Sequence, residues 1–293
     1  MNRFSTPPEV VDRLRQSDYL SDESIATVVF LADRLGKPVL VEGPAGTGKT
    51  ELAKSVARAL DAKLIRLQCY EGVDEAKALY EWNYKKQLLR IQAETGREQS
   101  WEEVETNIFS EDFLLERPLL AAIRSAEPAV LLIDEIDKTD FEFEGLLLEL
   151  LSDFQVTIPE MGTVVAKQIP FVFLTSNNTR ELSEALKRRC LYLYLDYPDM
   201  EREKAIVLSR VPELPEMLAD QIVRLVRSIR AMELKKAPSI AETLDWARTL
   251  LHLGVTEMDE DTARRTMTVL LKYQSDVEKV AGHLKISPNP RNN

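Results

Sequence analysis

Cysteine and histidine are scarce in this sequence, and their scarcity limits the chemistry it can carry. The 293 residues include two cysteines, Cys69 and Cys190, which lie far apart and form no closely spaced metal-binding pair. The two histidines, His252 and His283, are too few for a metal centre built from histidine, and we expect both on helix surfaces. These absences favour a reducing compartment and argue against a fold stabilised by disulfide bonds.

Long apolar runs and net positive charge are also missing. No apolar run approaches the roughly 18 residues of a membrane-spanning helix, and Met1–Pro8 lacks the apolar core of a signal peptide. The net charge of −11 disfavours a general nucleic-acid surface, although local basic clusters could still provide one. We therefore expect a cytoplasmic protein with no integral membrane segment and no nucleic-acid partner.

A glycine-rich segment at residues 43–50, Gly-Pro-Ala-Gly-Thr-Gly-Lys-Thr, is the most informative feature present. It follows an apolar run and precedes a helical apolar pattern, and its Gly-x4-Gly-Lys-Thr spacing is then typical of a phosphate loop. Glycine lets the backbone turn its N–H groups inward around a polyphosphate, and the following helix adds its positive dipole end. The alternative, a glycine turn that binds nothing, leaves the flanking strand and helix unexplained. The segment therefore predicts binding of a nucleoside triphosphate.

Two side chains of this loop have distinct expected roles. Lys49 is expected to reach the outer phosphates, and the Thr50 hydroxyl is expected to hold Mg²⁺. The predicted nucleotide contacts of the loop are Gly43, Pro44, Ala45, Gly46, Thr47, Gly48, Lys49 and Thr50.

Two adjacent carboxylates, Asp134 and Glu135, directly follow the apolar run 130–133. An Asp in that place can hold Mg²⁺ through water, and an adjacent Glu can orient and deprotonate an attacking water. Such a pair is common after buried strands and is weak alone. Behind a phosphate loop it indicates the catalytic half of the same site.

The order of apolar segments predicts an α/β domain followed by a helical one. We expect a helix over 22–35, capped by Ser21 or Asp22. Strands are expected at 38–41, 63–68, 129–133, 169–174 and 190–195, with helical patterns between them, which favours a five-stranded parallel sheet. From these patterns we predict a nucleotide-binding domain over 1–197, an all-α lid over 198–286 and a disordered tail over 287–293.

Two stretches lie outside this repeating pattern. Within 70–118, Tyr80, Tyr84, Leu88 and Ile91 recur at helical spacing. Two interpretations stay open for this stretch: an amphipathic helix packed on its own domain, or an inserted element that faces a partner. The stretch 155–167 has two β-prone runs around Pro-Glu-Met-Gly and predicts a β-hairpin.

With these motifs the chain resembles the AAA+ ATPases, and within them the MoxR family, over about residues 20–285. Residues 43–50 resemble its Walker A motif, and residues 130–135 resemble its Walker B motif. Residues 173–177 resemble its sensor-1 strand, whose asparagine polarises the attacking water. The resemblance assigns that role to Asn177, with Asn178 as the alternative one residue along.

The stretch 182–190 resembles the family segment that ends in an arginine finger. The family's arginine directly precedes the next strand, which favours Arg189 over Arg188. Such an arginine enters the neighbouring subunit's site and stabilises transition-state charge. The alternative for these basic residues is a solvated helix end favoured by the helix dipole.

The 70–118 stretch and the 155–167 hairpin match the helix-2 insert and pre-sensor-1 hairpin of the MoxR branch. The stretch 237–248 is most similar to the accessory ATPases of carbon monoxide dehydrogenase maturation. It departs from the wider family, which carries a sensor-2 arginine where this chain has Ala241, and Arg248 is only a weak substitute. By analogy with AAA+ relatives, adenine is expected near Tyr19, Leu20 and Ile25, with core packing as the alternative for Leu20 and Ile25.

The resemblance implies ATP hydrolysis with Mg²⁺ in a homo-oligomeric ring, a hexamer in the family. The ring would remodel a metalloenzyme client, with insertion of metal or sulfur into a molybdenum hydroxylase as one example, and a von Willebrand factor A domain protein as a further partner. Two other classes stay open: a regulatory switch that binds a partner in its ATP state, and a nucleic-acid motor, which the acidic charge disfavours.

Overall fold

A computed structural model describes residues 3–94 and 108–283. Part of the 70–118 stretch and the tail predicted for 287–293 lie outside these ranges. The chain divides into a first unit of Met1–Gly43 with Lys49–Tyr194 and a second unit of Pro44–Gly48 with Leu195–Asn293. Across the described ranges, no helix combines the length and apolar character needed to cross a membrane.

The first unit alternates helices and strands along the chain. Its elements are α1 (Pro7–Gln16), α2 (Glu23–Leu35), β1 (Val39–Glu42), α3 (Lys49–Ala59), β2 (Lys63–Gln68), α4 (Glu75–Ala78), β3 (Tyr80–Trp82), α5 (Tyr84–Glu94), β4 (Leu114–Glu116), α6 (Pro118–Arg124), β5 (Ala129–Asp134), α7 (Phe141–Asp153), β6 (Gln155–Ile158), β7 (Gly162–Val165), β8 (Phe171–Ser176), α8 (Glu184–Arg189) and β9 (Leu191–Tyr194).

Five of these strands form one parallel sheet in the order β2-β5-β8-β1-β9. Every residue of β1, β5 and β8 is buried, as expected for strands covered on both faces. The α/β class with a five-stranded parallel sheet is therefore confirmed. Parallel strands end at the same edge, so the polar residues that follow β2, β5 and β8 are brought together there.

Local capping explains where the helices next to the sheet begin and end. The Asp22 side chain accepts a hydrogen bond of 2.8 Å from the Ile25 N–H and so caps α2. Gly36 ends that helix in the left-handed region, with φ of 60°. Of the two predicted caps, the structure selects Asp22.

The helical spacing predicted from Tyr80 onward is wrong at its start. Tyr80 and Trp82 lie on β3, which pairs antiparallel with β4, and the helix begins at Tyr84. Trp82 is buried and makes edge-on ring contacts with Tyr80 and Phe109, so burial of the large indole decides this segment. Tyr84 and Leu88 are 62% and 60% exposed. The apolar face of α5 is therefore not packed on the described part of its own unit.

The stretch 155–167 forms two short antiparallel strands. Gln155 on β6 pairs with Val165 on β7, and Ile158 pairs with Gly162. Val156 and Ile158 are buried while β7 is largely exposed.

The second unit is helical in its described residues from Leu195 onward. Its helices are α9 (Met200–Arg210), α10 (Glu216–Arg230), α11 (Ile240–His252), α12 (Glu260–Thr266) and α13 (Gln274–His283). The apolar stripe of α10, which includes Leu218, Ile222 and Ile229, is buried against a core that contains Trp246. The helical C-terminal region is thus as the periodicity predicted.

Candidate functional site

The glycine-rich loop has a backbone conformation that depends on its glycines. Gly46 and Gly48 have φ of 75° and 96°, values that residues with a side chain rarely adopt. Thr47 is buried, and its hydroxyl donates to the Pro44 carbonyl over 3.1 Å, which closes the loop on itself.

Lys49 is the first residue of α3 and is 6% exposed. Its ammonium donates to the Gly43 carbonyl over 2.7 Å. Burial lowers the pKa of Lys49 below its ordinary value, and the nearby carboxylates of Asp137, Asp134 and Glu135 oppose that effect. A partly desolvated cation beside the loop is well suited to an incoming anion.

Asp134 ends β5 and is 2% exposed. Its Oδ1 accepts from the hydroxyls of Thr50 at 3.0 Å and Thr175 at 2.5 Å. The fold thus brings together two oxygen ligands that are 84 residues apart. A hydroxyl and a carboxylate are oxygen ligands of the kind that Mg²⁺ takes, so these residues fit that ion. Among the described residues, no cluster of three His, Cys, Asp or Glu forms a different metal site.

Arg66 on β2 holds the other oxygen of Asp134. Its Nε and Nη2 lie 3.0 Å and 2.5 Å from Asp134 Oδ2. The Arg66 side chain is 45% exposed, whereas that of Asp134 is 3% exposed. Sequence reasoning missed this arginine, because the contact exists only if β2 is the neighbour of β5.

Glu135 follows Asp134 in the left-handed region, with φ of 60° and ψ of 49°. For a non-glycine residue this conformation costs roughly 1–2 kcal/mol. The carboxylate accepts hydrogen bonds from Gln68 at 2.8 Å, Lys138 at 2.5 Å and Asn177 at 3.3 Å. The hydrogen bond to Glu135 raises the pKa of Lys138. Three donors from separate segments therefore fix the Glu135 carboxylate at the sheet edge. The strain lies in the backbone of this residue.

Asn177 and Asn178 make different hydrogen bonds in the structure. Asn177 follows β8 and donates from Nδ2 to Glu135 Oε1. Asn178 has φ of 57°, and its backbone N–H donates to the Ser176 hydroxyl. The geometry therefore favours the first of the two predicted positions.

Asp137 is a buried carboxylate of this region that the sequence patterns did not single out. Burial would raise its pKa, but hydrogen bonds from the Thr179 hydroxyl at 2.6 Å and N–H at 3.0 Å keep it below the ordinary value. It thereby ties the segment after β8 to the segment after β5.

Four further residues named in the sequence analysis have their own contacts or surroundings. Arg189 ends α8 and donates to the Ser152 hydroxyl at 2.5 Å and the Ala185 carbonyl at 3.0 Å. Arg248 bonds Asp245 on its own helix, at 3.1 Å. The remaining two are in the segment before α2, where Tyr19 is buried and Leu20 half-buried.

Solved structures with a similar fold include two mutant forms of RuvB from Thermotoga maritima. One is 18% identical, covers 91% of this chain and 71% of its own, and gives a TM-score of 0.50. The other is 20% identical, covers 84% and 67%, and gives 0.51. At these identities the likeness supports the fold alone.

Relatives in sequence include uncharacterized staphylococcal proteins. One from Staphylococcus haemolyticus is 26% identical over 270 residues, which is 89% of this chain and 94% of that protein. One from Staphylococcus epidermidis is 24% identical over 277 residues, 91% and 97% of the two chains. Residues 38–190 also match the family described as AAA domain (dynein-related subfamily). That match spans just over half of the chain and covers the phosphate loop and the carboxylates, so the protein belongs to the dynein-related subfamily of AAA domains.

Proposed function

We propose that the protein binds ATP with Mg²⁺ and hydrolyses it. The observation that supports this most strongly is the convergence on Asp134, which accepts from Thr50 beside the phosphate loop while Glu135 stands next to it among polar donors. A bare anion site would need the loop and Lys49 only. The added carboxylates and their donors are what hydrolysis needs.

Nucleotide binding is assigned to the loop and to Lys49. The N–H groups of residues 43–50 would point at the phosphates, as glycine-rich loops of this spacing do. The Lys49 ammonium donates to Gly43 in this structure. It would exchange that neutral acceptor for phosphate oxygens, a stronger charge-assisted contact.

Thr50 and Asp134 would hold Mg²⁺, the aspartate through water. When bound, the ion supplies charge neutralisation to the phosphates being cleaved. Arg66 is then a competitor for Asp134, because its guanidinium already occupies Oδ2. Because the Arg66 side chain is 45% exposed, water can solvate its guanidinium when it moves aside, and the bound ion would then balance the charge of the buried Asp134.

Glu135 would accept the proton of the attacking water on its carboxylate. Gln68 and Asn177 bind different oxygens of that group, Oε2 and Oε1, so both fix its orientation. Lys138 also binds Oε2. Among the described contacts Oε1 accepts only the Asn177 hydrogen bond of 3.3 Å, so its second lone pair is the one we assign to the proton of the water.

Arg189 would act on the site of a neighbouring subunit, which requires a homo-oligomer such as a hexamer. Its present partners, Ser152 and Ala185, offer only neutral oxygens. It can leave them at less cost than an arginine paired with a carboxylate. The proposal therefore keeps Arg189 as the finger and Arg188, which is exposed, as the alternative.

The client assignment rests on resemblance alone. We propose that the protein belongs to the MoxR branch and remodels a metalloenzyme. A von Willebrand factor A domain protein would be a further partner. The exposed apolar face of α5, with Tyr84 and Leu88 at its surface, supports a partner-facing insert. A regulatory switch is the second candidate, and slow turnover without a partner would favour it.

Titration of a fluorescent ATP analogue into wild type and Lys49→Ala tests the binding assignment. The variant should lose tight binding, because the ammonium that balances the outer phosphates is gone. Lys54→Ala, which removes the same charge from the same helix, is the matched control and should bind as wild type does. Equal affinity of wild type and Lys49→Ala would remove the phosphate-loop assignment.

A further inference from the structure

Within the second unit, the start of α11 touches the phosphate loop. The Ile240 N–H donates to the Gly46 carbonyl over 3.2 Å. Ile240 is the first residue of α11, so its N–H is one of the four that a helix leaves without an internal acceptor. The loop carbonyl supplies the missing acceptor.

This single bond also sets the direction of the next loop N–H. All peptide bonds of the described chain are trans, and in a trans peptide the C=O and the N–H point in opposite directions. The carbonyl of Gly46 points at α11, so the N–H of Thr47 in the same peptide points away from that helix. A phosphate loop works through its N–H groups, and this hydrogen bond fixes the direction of one of them.

Ser239 lies so close to Gly46 that a side chain at position 46 would collide with it. A Cβ placed on Gly46 would lie 2.2 Å from the Ser239 Cβ and 2.5 Å from its hydroxyl. Since Gly46 also has φ of 75°, glycine is required here both by backbone conformation and by the contact with α11.

The turn that makes this contact is itself held rigidly. The Ser239 N–H donates to Glu242 Oε2 over 2.8 Å in a capping box. Burial would raise the pKa of Glu242, but the hydrogen bonds from Ser239, with Lys236 nearby, keep it below the ordinary value. The Thr243 hydroxyl donates to the Ser239 carbonyl over 3.0 Å.

The residue before Ser239 is fixed as well. Arg230 Nε donates to the Pro238 carbonyl over 2.7 Å, and its two terminal nitrogens contact Glu203 at 2.6 Å and 2.8 Å. Glu203 is fully buried. The turn 238–240 is thus anchored from both sides in the core of the helical unit.

We propose that the turn 238–240 is a latch that pre-orients the phosphate loop for nucleotide through the Ile240 N–H. The inference rests on the proposed nucleotide site and assigns Ile240, Ser239, Glu242 and Arg230 as positioning residues for it. Because coupling is reciprocal, a nucleotide held by the loop stabilises the turn, and a loosened turn weakens nucleotide binding. Nucleotide binding and the order of the turn 238–240 are thereby linked through one backbone hydrogen bond.

The variant Ile240→Pro removes the N–H donor together with part of a buried side chain. Proline is favoured at the first position of a helix, where its missing N–H is not needed internally. Ser239 has ψ of 174°, a conformation suited to the residue before proline. Ile240→Val keeps the N–H with a side chain of proline-like size, and it is the matched control.

Titration with Mg²⁺ and a fluorescent ADP analogue measures the effect. Loss of one hydrogen bond predicts roughly five-fold weaker binding by Ile240→Pro, with Ile240→Val close to wild type. In case the proline variant does not fold, Glu242→Ala should weaken binding while Glu242→Gln, which preserves the capping box, should restore it. If Ile240→Pro folds and binds as Ile240→Val does, or if neither Glu242 variant changes affinity, the latch is overturned.

Hydrogen exchange of the wild type tests the reciprocal effect. Nucleotide should slow exchange in the segment 236–245, with 274–283 on α13 as the internal control. Unchanged exchange at 236–245 in the nucleotide-bound protein overturns the latch and leaves the proposed function intact. Absence of any nucleotide binding by wild type refutes the proposed function and the latch with it.

Discussion

Two arginine–carboxylate pairs, one in each unit, use the same chemistry in opposite surroundings. Arg66 and Asp134 meet at the edge of the sheet, with side chains 45% and 3% exposed. Arg230 and Glu203 meet in the helical core, with side chains 9% and 0% exposed, and share two hydrogen bonds. In the first pair one partner faces solvent, and in the second neither does.

Exposure decides what each pair can do. Arg66 can leave Asp134 because water will solvate its charge, and two threonine hydroxyls still satisfy the aspartate. Arg230 is buried, so water cannot solvate its charge in the same way. It is also held by the Tyr197 ring at 4.3 Å and by Pro238. The open pair therefore suits a site that must exchange ligands, and the closed pair suits a fixed support.

Arg189 extends the comparison to an arginine whose partners in the described part of the chain are neutral oxygens, and its removal should have the largest effect. Arg189→Ala should bind ATP almost normally and lose hydrolysis by about 10³-fold or more, as for arginine fingers. Mixing it with Lys49→Ala should restore some activity, because an intact arginine can then face an intact loop. Steady-state phosphate release on each variant and on the mixture measures this.

Two outcomes would contradict the shared site. An inactive mixture in which mixed oligomers demonstrably form would move the finger to Arg188. Full activity of the wild type as a dilute monomer would remove the trans mechanism.

Breaking the closed pair should cost stability. Arg230→Met leaves Glu203 buried and unpaired, which predicts a loss of about 3–5 kcal/mol in the free energy of unfolding. Arg224→Met, which breaks an exposed pair with Asp220 on the same helix, should cost about 1 kcal/mol or less. Urea denaturation of both variants gives the comparison, and equal losses would show that burial does not separate the pairs.

The double variant Arg230→Met with Glu203→Leu sharpens this result. Replacing both charges by apolar groups removes the uncompensated carboxylate, so most of the lost stability should return. The same urea titration measures the recovery. A double variant no more stable than Arg230→Met alone would mean that the contact with Pro238, and not the charge pair, carries the stability.

Breaking the open pair should have the smallest effect, and on a different property. Arg66→Met removes a competitor for Asp134, so the Mg²⁺ concentration that half-saturates ATP binding should fall, by about three- to ten-fold. Arg58→Met, whose arginine is similarly exposed and pairs with Glu51, should leave it unchanged. A higher Mg²⁺ requirement in Arg66→Met would mean that Arg66 assists the ion instead.

The parts of the site that lie close together in sequence were the ones that could be predicted. The phosphate loop is eight consecutive residues, and Asp134 and Glu135 follow a continuous apolar strand, so local patterns taken together were enough to predict them. Strands β1, β5 and β8 were visible because buried parallel strands are short apolar runs, and every residue of these three is buried.

The partners of those carboxylates could not be predicted in the same way. Arg66 and Gln68 reach them because β2 lies beside β5, with Gln68 paired to Asp134, and strand order is not written in any local pattern. The predicted start of α5 was wrong for a related reason, since Tyr80 fits both helical spacing and the two-residue period of a strand. Burial of Trp82 against Phe109 decided between them.

The central claim is that this sheet edge hydrolyses ATP with Glu135 as the base. Single-turnover phosphate release from Mg²⁺ and ATP, with bound nucleotide measured in the same samples, tests it most directly. Glu135→Gln should retain ATP and release phosphate about 10²- to 10⁴-fold more slowly, while Glu142→Gln, an exposed glutamate on α7, should match wild type. Undiminished release by Glu135→Gln, or no release by wild type at any protein concentration, would contradict the account.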